Sequence, residues 1–136
     1  MLSVRVIGLA SARKKAPSGN GLGRLNPVAG CPLTAALAAF GGKWKLIIVY
    51  WLADSPRHFA ALRQLIPGIS SKILTQQLRE LVSDGIVDRK PTGDVPAPVI
   101  YSLTVYGRSL LPIVESVRTW GHGHLELASR GAHFRA

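Results

Sequence analysis

The spacing of hydrophobic and polar residues predicts a series of short helices before any motif is considered. Leu33 to Phe40 is short and Ala-rich, with Pro32 suited to a first helical turn and Gly41-Gly42 suited to end the helix. The run from Lys43 to Ala53 is apolar nearly all round, so periodicity alone also permits a buried strand. Its length and the Asp54-Ser55-Pro56 stop after it favour a buried helix.

Two amphipathic helices joined by a tight turn follow this run. Apolar residues recur at i, i+3, i+6 and i+7 from Phe59 and predict a helix that ends at Pro67-Gly68. After a turn of about four residues, Ser70 or Ser71 is suited to cap a second helix over 70–83, with a glycine just past its end. Two short helices with a Gly-containing turn have the outline of a helix-turn-helix.

The pattern then changes to β-prone runs and one more helix. Ile86-Val87 and Val99 to Tyr101 flank a connector, Lys90 to Pro98, with three prolines and a glycine, which predicts a two-stranded ribbon with a proline-stiffened tip. Thr104 is suited to cap a long final helix, and Pro112, eight positions later, predicts a bend in it. The expected apolar side of this helix consists of Leu110, Leu111, Val114, Val117 and Trp120.

The second amphipathic helix has one face of hydrogen-bond donors. The inward face consists of Leu74, Leu78, Leu81 and Val82, and the opposite face consists of Lys72, Thr75, Gln76 and Arg79. Arg pairs with guanine, Gln with adenine and Thr with a thymine methyl group in a major groove. The helix N-terminus with Ser70 and Ser71 suits phosphate contacts, and Arg89 and Lys90 of the ribbon suit the sugar-phosphate backbone. For an isolated helix, an ordinary solvated face is the alternative interpretation.

Composition and charge add a partner class. The 136 residues suit one domain, and 17 Lys+Arg against 7 Asp+Glu give a formal charge of +10, which attracts nucleic acid or an anionic membrane. We interpret residues 1–30, with five basic and no acidic residues, as a disordered extension or as the product of a start codon assigned too early. Residues 31–127 are the expected folded domain, with ten basic and seven acidic residues, and 128–136 a short tail with two basic ones.

From Cys31 to about Leu125 the chain resembles the HxlR-type (MarR-like) transcriptional regulators. The likeness is carried by CPLTAAL, GGKWKLIIVYWL, RHFAALRQLIPGISSKILTQQLRELVSDGIVDR, YSLTVYGRSLLP and the closing TWG, in this order. It implies a mainly α winged helix-turn-helix with a small two- to three-stranded β wing, a helix over Lys43 to Ala53, and a homodimer through the first and last helices. Two recognition helices would then face a pseudo-palindromic operator in double-stranded DNA.

Two wing positions and one extension depart from the family pattern. The family usually has a basic residue just before the second wing strand and an acidic one two positions later, where this chain has Pro98 and Ile100. Arg89 and Lys90 are therefore expected to take more of the phosphate contact. Residues 1–30 have no counterpart in the family pattern.

Cys31 is the single cysteine and stands directly before Pro32. In several family members a cysteine at this place senses electrophiles or oxidants, and the resemblance implies that role for Cys31. A helix N-terminus would favour the thiolate. With one cysteine, the available chemistries are alkylation, a mixed disulfide, a sulfenic acid, or a disulfide between two protomers. The alternative is a structural or incidental cysteine.

Other kinds of site have weak support. His122 and His124 have no third ligand at suitable spacing, so they are expected at the surface and not on a metal. No carboxylate pair, nucleophile-base pair or phosphate loop is present, so no catalytic residue and no cofactor is predicted. A thiol-dependent enzyme at Cys31 would need a base that the sequence does not place. Trp44, Tyr50, Trp51 and Phe59 are expected in the core.

The N-terminus is apolar and then basic, the reverse of a signal peptide, and the longest apolar stretch, Leu46 to Ala53, has eight residues. We therefore expect a cytoplasmic protein with no membrane partner, and the family resemblance implies that it is bacterial and associated with DNA. The leading function is a sequence-specific regulator that acts as a repressor, with a small-molecule or electrophile effector. The alternative is a non-specific nucleic-acid-binding or protein-interaction module.

Overall fold

The structure, a computed structural model, describes residues 30–93 and 98–131. The predicted N-terminal extension up to residue 29, the ribbon tip at 94–97 and the last residues of the predicted tail lie outside the described residues. The elements in chain order are α1 (Pro32–Phe40), α2 (Lys45–Leu52), β1 (Arg57–His58), α3 (Phe59–Leu65), α4 (Ser71–Ser83), β2 (Val87–Pro91), β3 (Val99–Leu103), α5 (Val105–Arg108) and α6 (Leu111–Ser129). The fold is mainly helical, as predicted.

Helix α2 lies in the centre of the core, which confirms the helical interpretation of Lys43 to Ala53. Its Ile48 and Val49 are completely buried, and they pack with apolar side chains from α3, α4, β2 and β3. Trp44, Trp51 and Phe59 pack against this core and are partly buried, as expected. The expectation for Tyr50 is wrong: 38% of it is exposed, because it lies on the side of α2 opposite the buried residues, where its ring meets Trp51 edge-on at 5.1 Å.

The turn between α3 and α4 is fixed by a glycine and a serine cap. Gly68 has a φ of +82°, a left-handed conformation that side chains with a Cβ rarely adopt. Ser70 is the N-cap of α4, and its Oγ accepts a hydrogen bond from the backbone N–H of Ile73 at 3.1 Å. At the other end, Gly85 follows the C-cap with a φ of +76°, as the sequence predicts. These features confirm the helix-turn-helix.

The wing is a three-stranded antiparallel sheet in the order β1-β3-β2. Strand β3 pairs with β2 from Val87↔Leu103 to Pro91↔Val99, and its other edge pairs with β1. The two-stranded ribbon therefore gains a third strand that the hydrophobic pattern did not reveal, since two residues are too few to show a period. Arg57 holds β1 against α2 because its Nε donates to the carbonyl of Trp51 at 2.6 Å.

The predicted single long helix after Thr104 is wrong, because the chain forms two helices here. Thr104 caps the short α5, with Oγ1 accepting from the N–H of Gly107 at 2.8 Å and donating to the carbonyl of Gly85 at 2.6 Å. The chain turns at Ser109, and α6 begins anew with Leu110 as its N-cap and Pro112 in its first turn. Proline has no N–H to donate to the preceding turn, so it starts a helix here rather than bending one.

Helix α6 packs on α2 through a narrow strip and leaves much of its apolar surface in solvent. Val114 is buried, whereas Val117 and Trp120, predicted on the same apolar side, are 51% and 69% exposed. Leu33 and Leu37 of α1 are also exposed. The helix runs to Ser129, so the first two residues of the predicted tail are helical.

Among the described helices none is long and apolar enough on its own to cross a bilayer; α1 and α2 reach that length only as a pair bent by 71°.

Candidate nucleic-acid interface

Helix α4 separates its apolar and polar residues onto opposite faces. Leu74, Leu78 and Leu81 are buried with at most 2% exposure. The side chains on the other face are all exposed: Lys72, Thr75, Gln76 and Arg79. With 3.6 residues per turn, the spacing of the three leucines directs this polar stripe away from the core. The structure thus brings the four predicted base-reading side chains together on one accessible surface.

The two serines at the start of α4 differ in their local role. Ser71 is exposed and is the first residue of the helix. The exposed Ser70 uses an Oγ lone pair to cap the helix, which leaves its O–H as the group that donates to an acceptor. Both hydroxyls therefore lie at the helix end where the backbone dipole favours an anion.

The ribbon presents one basic side chain on each of its faces. Arg89 and Lys90 are both exposed, but consecutive residues of a strand point to opposite sides. Lys90 Nζ lies 3.8 Å from Asp88 Oδ2, and both side chains are largely in solvent, so this ion pair is weak. Arg89 forms no ion pair with any residue in the described part of the chain.

The two wing positions that depart from the family pattern have structural roles here. The carbonyl of Pro98 accepts hydrogen bonds from the N–H of Thr92 at 2.7 Å and from its Oγ1 at 2.9 Å, which closes the base of the tip. Ile100 lies opposite Lys90 on one side and His58 on the other. The described part of β3 therefore contributes no charged side chain to the wing.

Sequence reasoning missed a contact between α2 and α4. Lys45 was grouped with an apolar run, yet its Nζ lies 2.6 Å from Glu80 Oε1. Only 7% of the Lys45 side chain and 33% of the Glu80 side chain are exposed. Among the described residues, Lys45 is the one charged residue in the buried core. Two charged residues separated by 35 positions give no local signal, although a lysine inside an apolar helix implies a partner.

Cys31 is exposed and is the N-cap of α1, as its position before Pro32 suggested. Its Sγ accepts a hydrogen bond from the N–H of Thr34 at 3.4 Å. Hydrogen bonds from Thr34, first from its side chain and then from its backbone, lower the pKa of the Cys31 thiol below its ordinary value. The Leu33 backbone acts in the same direction, and these contacts outweigh a small opposing effect of desolvation. These hydrogen bonds favour the thiolate form of Cys31.

Two further places bear on predicted ligands. His124 stacks on Trp120 with ring centroids 5.0 Å apart, and the described residues include no group of three His, Cys, Asp or Glu arranged to hold a metal ion. A groove of about 290 Å³ lies between α2 and α6. It is lined by Leu46, Ile47, Tyr50, Val114, Val117 and Arg118. The effector itself stays a prediction.

Comparison with known sequences covers most of the described chain. The model of the HxlR-like helix-turn-helix family matches residues 39–129. The HTH-type transcriptional regulator YybR of Bacillus subtilis strain 168 is 44% identical over 98 residues, which cover 72% of this chain and 78% of YybR. YdeP of the same strain, also an HTH-type transcriptional regulator, is 45% identical over 92 residues, or 68% of this chain and 72% of YdeP.

Solved structures of regulators share the same architecture. The redox regulator HypR in its reduced form superposes with a TM-score of 0.68 at 41% identity, over 74% of this chain and 99% of HypR. The oxidized form of HypR superposes with a TM-score of 0.66 at 45% identity, over 68% of this chain and 96% of HypR. The reduced transcriptional regulator YodB from B. subtilis superposes with a TM-score of 0.59 at 34% identity, over 66% of this chain and 89% of YodB. The segment matched to the family includes every described helix and strand from α2 to α6.

Proposed function

This chain belongs to the HxlR-like helix-turn-helix family of transcriptional regulators, and we propose that it binds one operator sequence as a homodimer and represses transcription by occupying a promoter. The observation that carries the proposal is the exposed polar stripe of α4, whose donors match the edges of guanine and adenine. Lys72, Thr75, Gln76 and Arg79 are assigned to base edges and nearby phosphates.

Phosphate contacts complete the proposed interface. The polar stripe is flanked in sequence by two groups suited to phosphate. Before it lies the N-terminus of α4 with Ser70 and Ser71, and after it lie the exposed Arg89 and Lys90 of the wing. Contacts of this kind fix the register of a protein on DNA without reading sequence. Two protomers then place their α4 helices in successive major grooves, about 34 Å apart, on a pseudo-palindromic site.

The homodimer is supported by apolar surface that one protomer leaves uncovered. Exposed large apolar side chains concentrate on the first and last described helices: Leu33, Leu37, Ile113, Val117, Trp120, Leu125 and Leu127. Contiguous exposed apolar surface marks an association site. Light scattering at micromolar concentration is expected to give twice the protomer mass, and Trp120→Glu is expected to shift the mass towards one protomer. A monomeric parent protein would overturn the dimer.

The function is tested by measuring operator choice. A duplex is selected by the parent protein from a random-sequence library, and its affinity is compared with that of a scrambled duplex at physiological salt. A specific regulator is expected to prefer the selected duplex by about 10³ or more. A promoter fusion carrying the selected site should be less active in cells that express the protein, if the protein represses.

Non-specific binding is the second candidate, because seven of the ten net positive charges lie in residues 1–30 and 128–136, and charge outside the α4 stripe and the wing adds affinity for DNA without reading its sequence. Selection would then enrich no sequence, and both duplexes would bind with similar affinity and the same salt dependence. That outcome assigns the chain to a coating or interaction role and rejects the specific regulator.

We further propose that Cys31 is the sensor of an electrophile or oxidant. Support comes from its exposure, its lowered pKa, and the structural similarity to HypR, a redox regulator solved in reduced and oxidized forms. The Cys31 thiolate attacks a small disulfide, breaks its S–S bond and forms a mixed disulfide with release of one thiolate; with diamide it adds to the N=N bond, forming an S–N bond while the other nitrogen takes up a proton. Diamide is expected to weaken operator binding by the parent protein and to leave Cys31→Ser unaffected. Equal responses of the two proteins would reject the role.

A further inference from the structure

The Lys45–Glu80 contact is an ion pair that joins α4 to α2. Apolar contacts through Leu74, Leu78 and Leu81 hold α4 on the core, and such contacts have no preferred direction. The Lys45 ammonium, in contrast, meets one oxygen of Glu80 at 2.6 Å from a side chain that is almost fully buried. An ionised hydrogen bond of this length is short and directional.

Glu80 is the residue next to Arg79 on α4. Successive residues of a helix are separated by 100° around its axis, so fixing the position of Glu80 also fixes the direction of Arg79. A rotation of about 20° moves a side chain at the helix surface, about 6 Å from the axis, by about 2 Å. Hydrogen bonds tolerate a spread of about 0.5 Å in donor–acceptor distance, so that rotation breaks a paired contact with a base.

We propose that Lys45, through Glu80, is a positioning residue that sets the rotation of α4 and thereby the operator discrimination of the protein. The inference rests on the proposed function of α4. Replacing a buried ion pair with apolar residues often leaves stability unchanged or raises it, whereas conformational specificity is the property that such pairs supply in some proteins. Lys45 therefore acts on sequence choice more than on stability.

The position of Lys45 in α2 also relates the ion pair to α6. It lies in the first turn of α2, the helix on which α6 packs, so the ion pair joins the helix beneath the proposed dimer surface to the proposed reading helix. The ion pair thus adds a directional contact between these two helices to the apolar contacts of the core.

The test separates discrimination from stability. The variants are Lys45→Met, and Lys45→Met combined with Glu80→Leu, measured by thermal unfolding and by the affinity ratio for the selected and scrambled duplexes. Lys45→Met is expected to lower both quantities, since Glu80 loses its ammonium partner. The double variant is expected to regain the parent Tm and still discriminate about tenfold less than the parent protein, which corresponds to weakening one paired base contact.

Two controls define the interpretation. Glu80→Gln keeps an oxygen that accepts from Lys45 and is expected to stay within about threefold of the parent discrimination. Weakening the ion pair between the exposed Asp54 and Arg57 with Asp54→Asn should leave discrimination unchanged. Parent-like discrimination in the double variant, or an equal loss in Glu80→Gln, would overturn the positioning role.

A measurement without DNA keeps the proposal independent of operator binding. Residual dipolar couplings of backbone amides report the orientation of α4 relative to α2. One alignment tensor is expected to fit both helices in the parent protein, and the α4 couplings are expected to deviate from it in the double variant. Unchanged α4 couplings would reject the proposal. If the parent protein selects no operator, the proposed function fails while the couplings still decide the inference.

Discussion

Arg89 on the wing is expected to raise the affinity for every DNA sequence equally and to contribute nothing to the choice between sequences. Its guanidinium is exposed on β2 and has no ion pair among the described residues, so binding DNA requires no intramolecular partner to be displaced. The Arg89→Ala substitution removes this charge from both protomers of the proposed dimer. A phosphate contact of this kind changes the salt dependence of binding, whereas a base contact changes discrimination.

The magnitude follows from the number of basic groups assigned to phosphates. Lys72, Arg89 and Lys90 give three per protomer, or about six phosphate contacts in a dimer, and a slope of log K against log salt of about −5. Losing Arg89 twice makes the slope less steep by about 1.8. Between 50 and 200 mM salt, the parent protein should lose about 10³ in affinity and the variant about 10².

The assay is fluorescence anisotropy with the selected and scrambled duplexes at four or more salt concentrations. Arg130→Ala is the matched control, because it removes one positive charge at the end of α6, outside the proposed interface. Its slope should equal that of the parent protein within about 0.5. An unchanged slope in Arg89→Ala, or a loss confined to the selected duplex, would refute the assignment of Arg89 to the phosphate backbone.

The remaining predictions concern a base contact, a thiol and a close approach of two backbones. Arg79→Ala is expected to weaken binding to the selected duplex by about 1–3 kcal/mol, measured by titration, and to relax specificity at one base position in each half-site. Because Thr34 lowers the pKa of Cys31, alkylation of Cys31 by iodoacetamide should reach half its maximal rate below the pH expected for a free thiol. The Thr34→Val substitution should move that midpoint to higher pH. Identical pH–rate profiles for the parent protein and the variant would contradict the role of Thr34. A Cβ at Gly107 would lie 2.1 Å from the carbonyl oxygen of Ile86, so Gly107→Ala should cost about 1–3 kcal/mol and lower Tm by about 5 °C or more, while Gly30→Ala, in open space, should leave Tm nearly unchanged.

Local signals in the sequence were sufficient for the helix-turn-helix and its polar face. A serine cap, a left-handed glycine and leucines at helical spacing act within a few residues, so they can be recognised without knowledge of the fold. Ser70, Gly85 and the buried face of α4 follow the expected pattern for this reason. The base-reading role of the opposite face stays a prediction.

Features that depend on distant parts of the chain were missed. Strand β1 exists because Arg57 and His58 meet β3, more than 40 positions away, and the Lys45–Glu80 pair forms across 35 positions. The end of α5 depends on the approach of Gly107 to Ile86 and on the new start at Pro112. The exposure of Tyr50 was missed because the sequence shows that a residue is apolar but does not show which side of α2 is covered.

The break between α5 and α6 allows the surface proposed for dimerisation and the surface proposed for DNA binding to evolve separately. Thr104 ties α5 to the end of α4, whereas α6 starts afresh at Leu111 and meets the rest of the chain mainly at α2. In the proposed dimer, substitutions on the side of α6 that faces away from α2 would therefore alter which protomers associate without rebuilding the surface formed by α4, since distant substitutions act nearly independently. Under the proposed function, we expect a duplicated gene with changes confined to that side of α6 to change its pairing partner and to keep the ancestral DNA site.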